Sequence, residues 1–491
     1  MSSPILSFLK GALSYILIVQ VVLQIDCYVS LKIRQEGGAD VSDSVIDFLG
    51  FQIEKPLISL IVAAIALFVS RSNIVAEVTN STAVATKKKE KVVTQTAPAA
   101  KKESKPASPA PAPLVVEKVE EKLVNVVKGE TLDVVLVGCG MPKRGMGWYH
   151  LTQLLDMPNA NMTAVVEPFF LNPKLCPNPP EAFTKMVKAL EGAGIKCTDS
   201  VAKLPTFTKD TMCLIAGRTS DNPALFKACV AQGAKIVYLE KPGAPSVAEL
   251  QEMSDWAKVK DVKVYLGYNK NVTPYVQKAL ALSKTKENSK ITFCHNNSYK
   301  VNDLNECFFR NSEGMLKNMA IHELALLVSF FDVTVDTIKE FKVNTNKLFT
   351  EKLSVWVPGT TVPNEKYISD FSRIGFSVST KSGKSVSVMA DRCGGNVSFA
   401  SVKDAEGVEI EKFEFPDAKT QEKVEKQCAE DPEMMPYFFV QSDDYFTLKD
   451  RVISSTLKNC DAEGIATIDI GIEALKLAEY FTEEANKALE K

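Results

Sequence analysis

The run Asp133-Val-Val-Leu-Val137 closes on Gly138-Cys139-Gly140, and no other stretch limits the fold as strongly. A short β-branched run without a polar face is a strand buried on both sides. The glycines that end it permit a tight turn, in which backbone can approach a pyrophosphate at a helix N-terminus. A helical pattern follows over 147–155, and a second strand over 162–166 ends in Glu167. Strand-like runs recur at 211–215, 236–239 and 262–266, with helix-like runs at about 181–193, 222–232 and 246–258 between them. This alternation predicts a parallel sheet covered on both faces, an α/β Rossmann nucleotide-binding domain over residues 131–268.

Glu167 stands where an acid binds ribose hydroxyls, which leans the cofactor towards NAD over NADP because the charge repels a 2′-phosphate. Lys143 and Arg144 act in the opposite sense. The usual third glycine of such a turn falls at Lys143, and Gly147 takes that role after an insertion around 141–144. The alternative is a doubly wound domain that binds no nucleotide.

Beyond residue 268 the pattern turns to strands at 290–297, 337–344, 374–379, 385–390, 396–402 and 408–415. Several alternate polar with apolar residues, so residues 269–491 are expected to form an α+β domain with a mostly antiparallel, half-exposed sheet. The terminal stretch 468–491 reads as an amphipathic helix that packs back on the nucleotide domain.

At 491 residues the chain is too long for one ordinary domain. A net charge of −2 excludes a globally basic nucleic-acid binder. Eleven cysteines without a CxxC pair argue against a disulfide scaffold or a cysteine zinc site, and three histidines argue against a multi-histidine metal centre. Two uncharged apolar runs, 11–25 and 56–70, read as a membrane-helix hairpin within residues 1–71. A cleaved signal peptide and an organelle-targeting leader are the alternatives. Lysines at 87, 88, 89 and 91 follow the second run and place the rest of the chain on the cytosolic side. Residues 72–130, rich in proline, alanine and lysine, form a disordered linker.

Tyr238-Leu-Glu-Lys-Pro-Gly243 resembles the Glu-Lys-Pro segment of the Gfo/Idh/MocA oxidoreductases, the glucose–fructose oxidoreductase and inositol dehydrogenase family. Gly147-Trp-Tyr-His150 is similar to the family's Gly-x-x-His. Residues 263–276 resemble its crossover into the second domain, and 313–331 the segment that carries its Asp-x-x-x-His pair. The resemblance covers residues 131–491. It implies hydride transfer between a nicotinamide and a sugar, polyol or related small hydroxyl compound. Lys241, His322 and position 318 would be the catalytic set, and Gly138, Gly140, Gly147, Glu167, Glu240 and Lys241 would hold the cofactor. Asn269 and Lys270 would face the substrate, and the family uses its second sheet for substrate binding and oligomer contact.

The chemistry is sound, because alcohol oxidation needs a base and histidine titrates nearest neutral pH. On one helix, residues 318 and 322 would lie a turn apart on the same face. Two departures stand out. Position 318 is Asn318 where the family has Asp, and Asn222-Pro223 replaces a histidine common in relatives. Asn318 motivates the alternative of a non-catalytic dinucleotide or partner binder, and an NAD-dependent glycosidase is a third reading. His150 is expected to pack near the glycine turn, and His295 carries no assigned role.

Overall fold

The structure, a computed structural model, describes residues 129–356 and 367–491. The apolar runs, the anchor and nearly all of the linker lie outside these residues. Among the described residues no helix is long and apolar enough to cross a membrane.

The first half contains β1 (Leu132–Val137), α1 (Met146–Asp156), β2 (Ala160–Val166), α2 (Glu181–Gly192), β3 (Lys196–Thr198), β4 (Thr211–Ile215), α3 (Asn222–Ala231), β5 (Ile236–Leu239), α4 (Val247–Lys260) and β6 (Lys263–Leu266). The six strands pair in the order β3-β2-β1-β4-β5-β6, every pair parallel. The order reverses at β1, whose two neighbours are β2 and β4. Open α/β sheets bind ligands at such a reversal, beyond the strands' C-terminal ends. Here that place is the Gly138 turn. Alternate residues of β1 enter different cores: Val135 and Val137 lie on one face, Leu132, Val134 and Leu136 on the other. Neither face is polar, as a strand covered by helices on both sides requires.

The second half contains α5 (Pro274–Lys284), β7 (Lys290–Asn296), α6 (Leu304–Arg310), α7 (Met315–Asn318), α8 (Ile321–Phe331), β8 (Ile338–Val343), β9 (Glu351–Trp356), β10 (Tyr367–Thr380), β11 (Ser385–Asp391), β12 (Ser398–Lys403) and β13 (Glu409–Phe415). Helices α9 (Ala418–Glu430), α10 (Pro436–Val440), α11 (Ser442–Leu457) and α12 (Ile468–Leu489) complete it. The sheet order is β13-β12-β7-β11-β10-β8, with β9 also on β10. Only the β7–β11 pair is parallel, so the sheet is mostly antiparallel. In β11 buried and partly exposed residues alternate, the mark of a sheet with one covered face.

Strand β10 runs well beyond the 374–379 that its pattern suggests. Asp370, Ser372 and Arg373 interrupt the apolar alternation there, yet Asp370 is buried because Arg392 pairs with it at 2.6 Å. Helix α12 packs against both halves. Gly471, near its start, leaves room for Leu266 of β6 and Leu250 of α4. Near its end Phe481 stacks on Phe341 of β8 at 4.3 Å. Helix α11, which no sequence pattern had suggested, lies against the α1 face of the first sheet with Tyr445, Leu448 and Val452 buried.

Candidate active site

The glycine turn is built by close approach of backbone. Gly138 has φ +85°, and a Cβ there would stand 2.9 Å from the amide nitrogen of Gly217, after β4. A Cβ on Gly147 would come within 1.8 Å of the Gly138 carbonyl oxygen, so α1 approaches the turn as closely as it does only without one. Gly140, at φ +64°, has nothing within 4 Å of its Cβ position. The turn is therefore tight beneath and open above, a cradle that suits a pyrophosphate.

Glu167 ends β2 beside this turn. Its Oε2 accepts from the Gly140 amide at 2.7 Å and its Oε1 from the Phe169 amide at 3.1 Å. The carboxylate is thus fixed where the ribose is expected. The insertion folds into a small hairpin, bridged between Met141 and Arg144, with Lys143 at φ 60°. Lys143 donates to Asp431 at 2.8 Å and Glu433 at 3.2 Å. Its charge is neutralised there and does not offset Glu167, while Arg144 remains exposed.

Beneath the turn lies a buried polar cluster. His150 accepts at Nδ1 from Lys449 at 3.0 Å, and its Nε2 faces Glu240 Oε1 at 2.8 Å. The remaining donors of Lys449 reach Gln153 Oε1 and the Tyr445 carbonyl. All three ammonium hydrogens are satisfied, and the imidazole is left neutral with its proton on Nε2. Burial, and then the Lys449 charge, depress the His150 pKa to about 4. Burial also pushes Lys449 down to about 7 against the pull of Glu240. His150 packs beneath the turn, as expected, and also braces Glu240.

Glu240 opens the loop after β5. The next peptide bond, Lys241–Pro242, is cis, and Asn222 Nδ2 holds the loop by donating to the Gly243 carbonyl at 3.0 Å. Lys241 then reaches across to α7 and donates to the Asn318 carbonyl at 2.8 Å. Desolvation lowers its pKa, although Glu240, Glu313 and Glu323 pull it up.

The second half meets this loop with a cluster that the sequence showed only in part. Glu323, fully buried on α8, accepts from Lys270 and, at 2.9 Å, faces Nδ1 of His295 on β7. Burial works to raise the Glu323 pKa, but His295 and Lys270 outweigh it and hold the carboxyl below its usual range. His322 lies beside them, its ring 6.3 Å from that of His295 and 5.9 Å from Tyr268. Its pKa falls well below the ordinary value through burial and the charges of Lys241 and Lys270. Among the described residues, three buried atoms here have no partner: His322 Nδ1, Tyr268 Oη and Asn269 Oδ1. Buried polar groups are rarely left unpaired, so these atoms point to a polar ligand.

Asn318 and His322 are not on one continuous helix. The chain breaks at Met319–Ala320 between α7 and α8, and the Asn318 side chain turns to Glu313 at 2.9 Å. Only its carbonyl oxygen serves the site. Lys270, expected to face the substrate, is half of a buried ion pair with Glu323. Glu323 and His295 are the residues that sequence reasoning missed. The available signal was a glutamate set in the apolar run Ile321-His-Glu-Leu-Ala-Leu-Leu327, where burial demands a cation.

All three histidines are held neutral by burial. As the pH falls through the ordinary histidine range, the unfolded chain takes up protons on these side chains more readily than the folded chain, so stability falls. Asp444, buried and raised to about 7, acts in the opposite sense, because the folded form keeps a proton that the unfolded form has lost. Three histidines act against one aspartate, so the net expectation is a loss of stability as the pH falls. Urea unfolding at pH 7.5, 6.5 and 5.5 measures this slope, and a flat profile contradicts the buried neutral histidines.

A six-stranded parallel sheet with a glycine turn at its order reversal, followed by a mostly antiparallel sheet, has the architecture of a nucleotide-binding fold joined to a second sheet. Residues 132–268 match the oxidoreductase family with an NAD-binding Rossmann fold, Gfo/Idh/MocA. No curated protein sequence matches the chain. Similar solved structures include the "probable dehydrogenase" of Thermotoga maritima, at 16% identity and TM-score 0.50, covering 73% of this chain and 97% of that one. An oxidoreductase of Agrobacterium radiobacter, solved with NAD+, L-tartaric acid and magnesium, shares 12% identity at TM-score 0.50, over 72% of this chain and 97% of its own. A myo-inositol dehydrogenase of Corynebacterium glutamicum has 17% identity and TM-score 0.49, over 73% and 97%. These likenesses extend through both domains and concern the fold.

Proposed function

We propose that the protein is an NAD-dependent oxidoreductase acting on a hydroxyl group of a sugar, polyol or related small compound. One observation carries this reading: Lys270, His295 and His322 gather around the buried Glu323, and Lys241 reaches the same segment through the Asn318 carbonyl at 2.8 Å. Gly138, Gly140 and Gly147 would cradle the pyrophosphate, Glu167 would bind the adenosine ribose, and Glu240 and Lys241 would border the nicotinamide. A bound nicotinamide supplies the acceptor for the carbinol hydrogen and its electron pair. Lys241 offers a cation to the oxygen on which negative charge develops. A neighbouring imidazole takes the hydroxyl proton. Asn269 Oδ1, unpaired and buried, would hold a further substrate hydroxyl. The apolar runs before residue 71 support a membrane-anchored form with this unit on the cytosolic side.

One observation favours a second reading, a dinucleotide binder without turnover: the Asn318 amide is engaged with Glu313 and offers no charge to His322. The full chain, incubated with NAD+ and a panel of polyols, aldoses and nucleotide sugars, decides between them by the absorbance of the reduced cofactor. Turnover is expected, and Lys241→Ala should lower kcat/KM by about 10²–10³ while leaving NAD+ bound. NAD+ binding without turnover of any panel member selects the binder.

A further inference from the structure

We propose that His295, oriented by Glu323, is the proton-accepting base of this site, in the place that the family's order of residues would give to His322. The inference deepens the oxidoreductase reading and rests on it. Glu323 is fully buried and acceptor-only, so the His295 nitrogen that faces it at 2.9 Å must carry the proton. That leaves the His295 Nε2 lone pair free, and it makes no hydrogen bond among the described residues. The side chain is 14% exposed, enough to meet a ligand from the cleft. A buried carboxylate that fixes the tautomer of an imidazole and stabilises the cation it becomes is the arrangement of a catalytic dyad.

His322 has none of this support. Among the described residues no carboxylate binds either of its nitrogens, Asn318 stands where an acid would, and the amide of Asn318 is turned to Glu313. The charges of Lys241 and Lys270 both act against an imidazolium at His322. His295 feels those lysines too, but Glu323 counters them by direct contact. The groups facing His295 are thus Glu323 and His322 from α8, Lys270 from the crossover and Lys241 from the loop after β5.

In the reaction, the substrate alcohol is oxidised to a carbonyl. Its carbinol C–H bond breaks, with the electron pair passing to the nicotinamide cofactor, and its O–H proton goes to His295 Nε2. Lys270 holds the second oxygen of Glu323, so the carboxylate stays in place when the imidazole is removed. His295→Gln is therefore a variant that leaves the Glu323–Lys270 pair intact.

The full chain labelled with ¹⁵N-histidine gives three imidazole signals, assignable with His295→Gln and His322→Gln. The expected tautomer of His295 is Nδ1–H with Nε2 unprotonated at pH 7.5. With a turned-over panel substrate, His295→Gln should lower kcat/KM by about 10²–10⁴, abolish the acid limb of its pH profile and leave NAD+ affinity unchanged. A His295 tautomer protonated on Nε2 overturns the dyad, and so does turnover within threefold of wild type in His295→Gln. A wild-type chain that binds neither NAD+ nor NADH overturns the oxidoreductase reading instead, whatever the tautomer. If NAD+ binds but no panel member reacts, the substrate class is rejected and the tautomer alone decides for or against the dyad.

Discussion

Glu323→Ala is expected to lower the unfolding free energy by about 3–5 kcal/mol, the usual loss when one partner of a buried ion pair is removed. The carboxylate is fully buried and serves two partners. Without it, the Lys270 ammonium stays in a low-dielectric pocket with no counter-charge in contact. Its pKa, already lowered by burial, would then fall further. Urea unfolding at pH 7.5 measures the loss. The double variant Glu323→Leu, Lys270→Met should recover much of it, because both charges then leave the core together. A loss below about 1 kcal/mol for Glu323→Ala would show that the pair is open to water and that the cluster is not the buried dyad described above.

Gly147→Ala is expected to abolish NAD+ binding and to lower stability by about 3 kcal/mol or more. The added methyl would stand 1.8 Å from the Gly138 carbonyl oxygen and 2.8 Å from Cys139 Cα, both backbone atoms that cannot rotate away. Helix α1 must retreat, and the cradle opens with it. Gly140→Ala is the informative contrast. Nothing lies within 4 Å of its Cβ position, so only the positive φ opposes it, at about 1–2 kcal/mol. Thermal unfolding of both variants should rank Gly147 far above Gly140. The reverse order would mean that the helix does not pack on the turn as described.

The nucleotide domain was legible because its signals are local. A β-branched run ending in two glycines, an acid at the end of the next strand and regular alternation after it need no knowledge of distant contacts. The insertion at 141–144 did not conceal Gly147, since the Gly-x-x-His spacing to His150 survived it. The candidate cluster was legible only in part, because it is assembled over long separations. Lys270, His295 and Glu323 come from a crossover, a strand and a helix, and only the buried glutamate in an apolar run hints that they meet. Helix α11 was missed for a related reason. Its sequence Ser-Asp-Asp-Tyr-Phe-Thr-Leu-Lys carries two acids and a lysine, yet Asp444 and Lys449 are buried through partners on other elements. The expectation for Asn318 failed at a helix break, which neither glycine nor proline announces.

The most direct test of the account is calorimetric titration of the full chain with NAD+ and NADH at pH 7.5. Saturable binding with one site per chain is predicted, lost in Gly147→Ala, and with NADP+ weaker because an acid at the end of β2, Glu167, would repel a 2′-phosphate. Absence of any heat of binding for NAD+, NADH, NADP+ and NADPH, from protein shown to be folded and free of bound nucleotide, would contradict it.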